Sequence, residues 1–197
     1  MTDFHTRPLD QATWPDFARL ADKHNGVWGG CWCMGFHLDG GWGKRTVSQN
    51  RAEKEERVLA GSAHAALVYD GPTPVGWCQF GPTGELPRIK HKRAYESGLT
   101  DLPDWRITCF FVDRDRRHEG VAAAGLRGAL GEIARLGGGT VESYPEDVEN
   151  RKVSGSFLHN ATVAMFEREG FARSRRVGKN HWVVTRTVAA STGRPPG

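Results

Sequence analysis

The stretch Arg117-His118-Glu119-Gly120-Val121-Ala122 decides the reading of this chain. It follows the apolar run Ile107-Thr108-Cys109-Phe110-Phe111-Val112. It opens an alanine-rich segment, Val121 to Leu136, with Leu126, Leu130 and Ile133 at helical spacing. A strand, a tight turn and a helix start therefore fall together. The glycine lets the backbone approach a ligand closely, and the first N–H groups of a helix have no internal partners. Such a corner favours a phosphate or pyrophosphate. The plain alternative for the same six residues is a helix start with a surface arginine.

The surroundings extend the pattern. Gly137-Gly138-Gly139 stops the helix, and Thr140-Val141-Glu142-Ser143-Tyr144 reads as a short strand closed by Pro145. A second amphipathic helix follows from Thr162 to Glu169 and ends at Gly170-Phe171. Phe171–Arg176 and His181–Val188 read as a terminal pair of strands.

This order of elements, with these residues, resembles the GNAT superfamily of acyl-CoA-dependent N-acyltransferases. The resemblance covers Ala63 to Val188. It implies an α/β fold with a mixed, mostly antiparallel sheet, splayed at its centre and flanked by helices. It also implies acetyl-CoA as acyl donor. Arg117, Gly120 and Ala122 match the family's pyrophosphate turn, so main-chain N–H groups of Arg117, His118, Glu119, Gly120, Val121 and Ala122 are expected on the pyrophosphate. The strand ending Phe110-Phe111-Val112 is expected to pair with the pantetheine arm, with an N–H near Phe111 or Val112 polarising the thioester carbonyl. Met165-Phe166-Glu167-Arg168-Glu169-Gly170-Phe171 looks like the family's late helix. Many members carry a tyrosine where this chain has Phe166, and phenylalanine donates no proton. Phe166 is then a candidate for packing on pantetheine. Tyr144, His159 or water is left to protonate the thiolate. Cys31-Trp32-Cys33-Met34, Asn50-Arg51-Ala52 and Pro74-Val75-Gly76-Trp77 together look like one bacterial branch of the superfamily, and imply no particular acceptor.

Amine acetylation needs a neutral amine, a donor for the oxyanion and two reactants held together. Glu142 is the leading candidate for the base, and a partly apolar cleft would raise its pKa. A structural ion pair with an arginine is the competing reading. Strand alternation puts Tyr144 on the same face, where it can orient the acceptor, relay a proton or simply belong to the core.

Composition narrows the field. A chain of 197 residues reads as one domain, 1–188, with a disordered tail from 189 to 197. No apolar run is long enough to cross a bilayer and no secretory signal is seen, so the cytoplasm is expected. The net charge is +4. The run Arg88-Ile89-Lys90-His91-Lys92-Arg93 lacks the interleaved aromatics that stack bases, so nucleic acid is not an expected partner. Cys31, Cys33, Cys78 and Cys109 are expected as reduced thiols. Cys31-Trp32-Cys33 lacks a second cysteine pair for zinc, and no metal is expected.

Upstream, Asp10 or Thr13 can cap a helix reaching His24, and Ser48-Gln49-Asn50 one over Arg51–Leu59. Ala65–Tyr69 and Pro74–Phe80 read as a hairpin. A short helix is expected near Lys92–Glu96. The glycine- and tryptophan-rich segment from Gly26 to Gly43 is either a set of core plugs or one wall of an acceptor pocket.

Transfer of acetyl from acetyl-CoA to a primary amine of a small molecule, by direct attack in a ternary complex, is the expected function. A non-catalytic CoA-sensing domain and a lysine or N-terminal protein acetyltransferase are the alternatives. A homodimer is compatible with the sequence, which names no interface.

Overall fold

The computed structural model describes residues 3–37, 45–149 and 155–191. Gly40, Gly41, Trp42 and Gly43 of the aromatic segment lie outside the described residues, as does the tail from 192 to 197. Among the described residues no helix is long and apolar enough to cross a membrane.

The chain runs β1 (Phe4–Pro8), α1 (Trp14–Lys23), α2 (Val47–Leu59), β2 (His64–Asp70), β3 (Thr73–Pro82), α3 (Lys92–Ser97), β4 (Trp105–Val112), α4 (Val121–Arg135), β5 (Gly139–Ser143), α5 (Val163–Arg168), β6 (Ala172–Arg176) and β7 (Trp182–Val188). One seven-stranded sheet has the order β1-β2-β3-β4-β5-β7-β6. Its neighbours are antiparallel except β4 and β5, which pair in parallel.

Local chemistry accounts for most boundaries. Thr13 precedes α1, with Pro15 in the first turn, and Trp14, Phe17, Leu20 and Ala21 form its buried face. The second helix departs from the sequence reading: it starts at Val47, one turn before Arg51. Thr46 accepts from Gln49 N–H while the Gln49 side chain accepts from Thr46 N–H, a reciprocal cap that takes priority over Ser48. Asn50 is inside the helix and buried, and its Nδ2 donates to Gly30 O at 2.8 Å.

Two cores lie on opposite faces of the sheet. One joins α1 and the 27–34 segment to Leu67, Trp77, Cys109 and Phe111. The other joins α4 and α5 to Cys78, Phe80, Ile107 and Phe110. Glycines let α4 sit close: a Cβ on Gly125 would lie 3.2 Å from Cys78 Cβ, and one on Gly128 2.7 Å from Thr6. A bulge re-phases β4. Gln79 pairs with Cys109 and Phe80 with Ile107, so Thr108 has no partner. The extra residue puts Ile107 and Phe110 on the α4 face and turns Cys109 to the other.

Candidate functional site

The parallel pairing of β4 and β5 is short. Trp105, Arg106 and Ile107 face Val141, Glu142 and Ser143, and the pairing ends there. β4 continues through Thr108 to Val112, bonded to β3 on its other edge. Residues Phe110, Phe111 and Val112 thus stand at a gap where the two strands part. Their edge N–H and C=O groups can be met by an extended ligand in place of a strand.

The gap leads to the turn. Asp113 caps a 3₁₀ turn over Arg114–Arg116, and the chain then passes through His118 (φ 65°) and Gly120 (φ 93°) into α4. Both lie in the left-handed region, where glycine is at ease and histidine uncommon. Nothing lies within 4 Å of where a Gly120 Cβ would be, so the space over the turn is open. The first helical bond runs from Ala124 N–H to Gly120 O at 3.0 Å, so the N–H groups of Val121, Ala122 and Ala123 precede the ladder. Arg117, His118, Glu119 and Gly120 are exposed. Arg116 anchors the corner through Asp70 at 2.7 Å and through Glu119 at 2.8 Å. The donor set fits a pyrophosphate: free helical N–H groups, an open glycine corner and basic side chains around it.

Phe166 is placed differently from a ligand contact. It is fully buried, packed edge-on against Phe110 at 5.9 Å and Phe171 at 5.0 Å. Helix α5 points its apolar face into the core, so Phe166 supports β4 from behind and offers no surface to the gap.

Glu142 and Tyr144 do meet, as alternation requires, but in a closed network. Glu142 Oε2 accepts from Tyr95 O–H at 2.9 Å and from Tyr144 O–H at 3.2 Å. Arg175 Nη1 lies 3.9 Å from its other oxygen. Arg106 Nη2 donates to Tyr95 Oη at 3.4 Å. Burial, above all, pushes the Tyr144 phenol well above its ordinary value. Tyr95 comes from α3, where the sequence predicts a short helix near Lys92–Glu96 and no site residue.

A cavity of about 510 Å³ lies on the β4 face away from α4, against the unpaired half of the strand. Cys109 forms part of its floor; Trp28, Phe36, Cys31 and Cys33 come from the aromatic segment, and His159, Arg88, Lys90 and His91 from the far walls. The aromatic segment divides between the core and the cavity. Trp32 is a core plug against Trp14 and Phe17, whereas Trp28 and Phe36 face the cavity and flank His159 at 6.2 and 6.1 Å. Glu142 and Tyr144 are not among the cavity's lining residues. His159 is, and its place on a wall built by distant segments carries no spacing signal in the sequence.

No family model and no curated protein matches the sequence. Solved structures do. An acetyltransferase from Corynebacterium glutamicum, described as histone acetyltransferase HPA2 and related, superposes with a TM-score of 0.56 at 15% identity, covering 98% of this chain and 100% of the other. A protein from Desulfovibrio desulfuricans described as an acetyltransferase of the GNAT family gives 0.53 at 16%, covering 95% and 100%. A Salmonella typhimurium protein described as an acetyltransferase, solved with its cofactor acetyl-CoA, gives 0.51 at 14%, covering 98% of each. With its splayed seven-stranded sheet and its glycine corner between β4 and α4, this chain is built on the GNAT acetyltransferase fold.

Proposed function

We propose that this protein transfers an acetyl group from acetyl-CoA to the primary amine of a small molecule. The observation that carries the reading is the parting of β4 from β5 directly above the Gly120 corner. Pantetheine would lie along Phe110–Val112 and the pyrophosphate on the N–H groups of the corner. Bound there, acetyl-CoA supplies an activated acyl carbon. The chain's own part is to hold the amine beside it and to receive a proton.

The cavity beside Cys109 is the acceptor site in this reading. His159 is the wall group that can take the amine's proton, directly or through water. Glu142, closed in by Tyr95 and Tyr144, positions β5 and α3. The lining also bears on acceptor charge. Arg88, Lys90 and His91 stand on one side, and among the described lining residues none is a carboxylate. A polycation would be repelled; an amine that also carries a carboxylate or phosphate would be drawn in.

Calorimetric titration with acetyl-CoA, on wild type and on Gly120→Trp, tests the donor site. Micromolar binding that the variant loses supports it, and absence of binding by the wild type removes the assignment. Thiol release with a panel of amines then tests turnover. Binding without turnover for any amine, small or peptidic, would favour a CoA-sensing domain.

A further inference from the structure

The cavity floor holds sulfur chemistry that amine acetylation does not use. Cys33 Sγ lies 3.3 Å from Cys109 Sγ, across 76 residues of sequence. Trp77 Nε1–H donates to Cys33 Sγ at 3.1 Å. With that N–H already pointing at it, Cys33 is suited to accept the Cys109 S–H as well.

A buried cation stands behind the pair. Lys54 is fully buried, and its Nζ lies 3.0 Å from His37 Nε2. His37 uses its other nitrogen toward Glu85 O at 3.1 Å. Burial and the charge of Lys54 hold His37 well below its ordinary value, so it is a neutral neighbour. Among the described residues no carboxylate lies within ion-pair distance of Lys54. Burial lowers the Lys54 pKa, and the neighbouring Cys33 and Glu85 oppose that lowering; a buried ammonium favours an anion nearby. Its field acts on Cys33, whose thiol the Cys109 hydrogen bond holds below the usual value against the opposing effect of burial. That same bond pushes Cys109 well above it, and burial takes Cys31 up to about 12.

The backbone is strained at the same place. Trp32 (φ 50°) and Cys33 (φ 53°) are left-handed, as are Val27 and Trp28 upstream. Non-glycine residues adopt that region at a cost, and such strain gathers where a side chain has to be aimed. Cys31, Cys33 and Cys109 are buried, and all three line the cavity. Among the described residues no group of three or more metal-binding side chains is arranged to hold an ion.

We propose that Cys33 and Cys109 form a peroxide-reactive dithiol in the floor of the cavity, Cys33 being the attacking sulfur and Cys109 the resolving one. The Cys33 thiolate attacks one oxygen of a hydroperoxide. The O–O bond breaks, the departing oxygen takes up a proton, and Cys33 becomes a sulfenic acid. The Cys109 sulfur then attacks the Cys33 sulfur; the S–S bond forms, the S–O bond breaks, and the hydroxyl leaves with the Cys109 proton as water. Two thiols lose two electrons to one peroxide. With hydrogen peroxide the products are the disulfide and two waters. Cys78, buried in the opposite core with its thiol pushed up by burial alone, is the internal control.

The test uses the full-length native protein. It is treated with stoichiometric hydrogen peroxide, quenched with iodoacetamide and mapped by mass spectrometry without reduction. The expected result is loss of two hydrogen atoms and a single cross-linked peptide joining Cys33 to Cys109, with Cys31 and Cys78 still thiols. In native wild type, Cys33 should also be alkylated roughly tenfold or more faster than Cys78. Cys109→Ser should leave a Cys33 sulfenic acid that a 1,3-diketone traps, and Cys33→Ser should leave Cys109 reduced. No mass loss, a bridge to Cys31, or equal alkylation rates for Cys33 and Cys78 would each overturn the proposal. The wild-type arms decide it even if a variant does not fold.

Discussion

Tyr95 joins two residues that face each other across the sheet: its hydroxyl donates to Glu142 at 2.9 Å while Arg106, the register partner of Glu142, approaches the same oxygen at 3.4 Å. The guanidiniums of Arg106 and Arg175 also lie over the Tyr95 ring, at 5.5 and 4.9 Å. A residue of α3 is thereby tied to the strands at the point where they begin to part.

Removing the tie should cost stability before it costs chemistry. Tyr95→Phe leaves Glu142 with one phenolic donor, an expected loss of about 1–2 kcal/mol. Glu142→Gln leaves Arg175 without its carboxylate and two phenols with a weaker acceptor, and should cost more, about 2–4 kcal/mol. Urea unfolding measures both. Retained acetyl-CoA binding with turnover reduced less than tenfold would support a positioning role, whereas abolished turnover in a folded Glu142→Gln protein would make it the base.

The corner at Gly120 should be sensitive to any side chain. With φ at 93° and open space above, Gly120→Ala pays mainly in backbone strain, about 1 kcal/mol. Acetyl-CoA affinity should fall with it, because the N–H groups of the corner shift. Calorimetry at matched folded fraction separates the two effects.

Gly76 is a sterically tighter position. A Cβ there would lie 2.6 Å from Phe111 O and 2.7 Å from Val121 Cγ1. Gly76→Ala must push the end of β4 and the start of α4 apart, at an expected cost of about 1–3 kcal/mol. Weaker acetyl-CoA binding should accompany the loss. A drop in stability with unchanged binding would show that the corner does not depend on this contact.

His181 gives the protein an acid-sensitive element. Burial first, and then the nearby charge of Lys90, lowers its pKa to about 4. Between about 6.5 and 4 the unfolded chain takes up a proton that the folded one does not. This contribution is therefore complete above pH 6.5 and is lost as the pH falls toward 4, by about 3 kcal/mol at most. His181→Gln should flatten the fall in urea midpoint between pH 7 and pH 4.5. An unchanged slope would assign the acid sensitivity elsewhere.

Acceptor charge is open to a direct assay. Amines bearing a carboxylate or phosphate should be acetylated in preference to polyamines, and Arg88→Ala with Lys90→Ala should narrow that preference tenfold or so by weakening the field at the wall. A wild-type preference for polycations would overturn the acceptor reading and leave the donor site standing.

The sequence by itself determined the local architecture. Apolar spacing at Leu126, Leu130 and Ile133 marked α4, Gly120 marked the corner, and Phe171–Arg176 with His181–Val188 marked the terminal hairpin, because helix period and strand alternation are written within a few residues. The cap at Thr46 is also written there, as a threonine three residues before Gln49, although Ser48-Gln49-Asn50 offers similar cap chemistry just downstream. Tertiary structure decided which side chains share a cavity. The bulge at Thr108 sets the face on which Cys109 emerges, and a one-residue change of phase would send it to the opposite core. Phe166 went behind β4, Glu142 into a network with Tyr95, and Cys33 onto Cys109, by contacts between segments far apart in the chain. Local periodicity fixes which face a residue occupies within its own element; strand register, sheet splay and loop packing fix what that face meets.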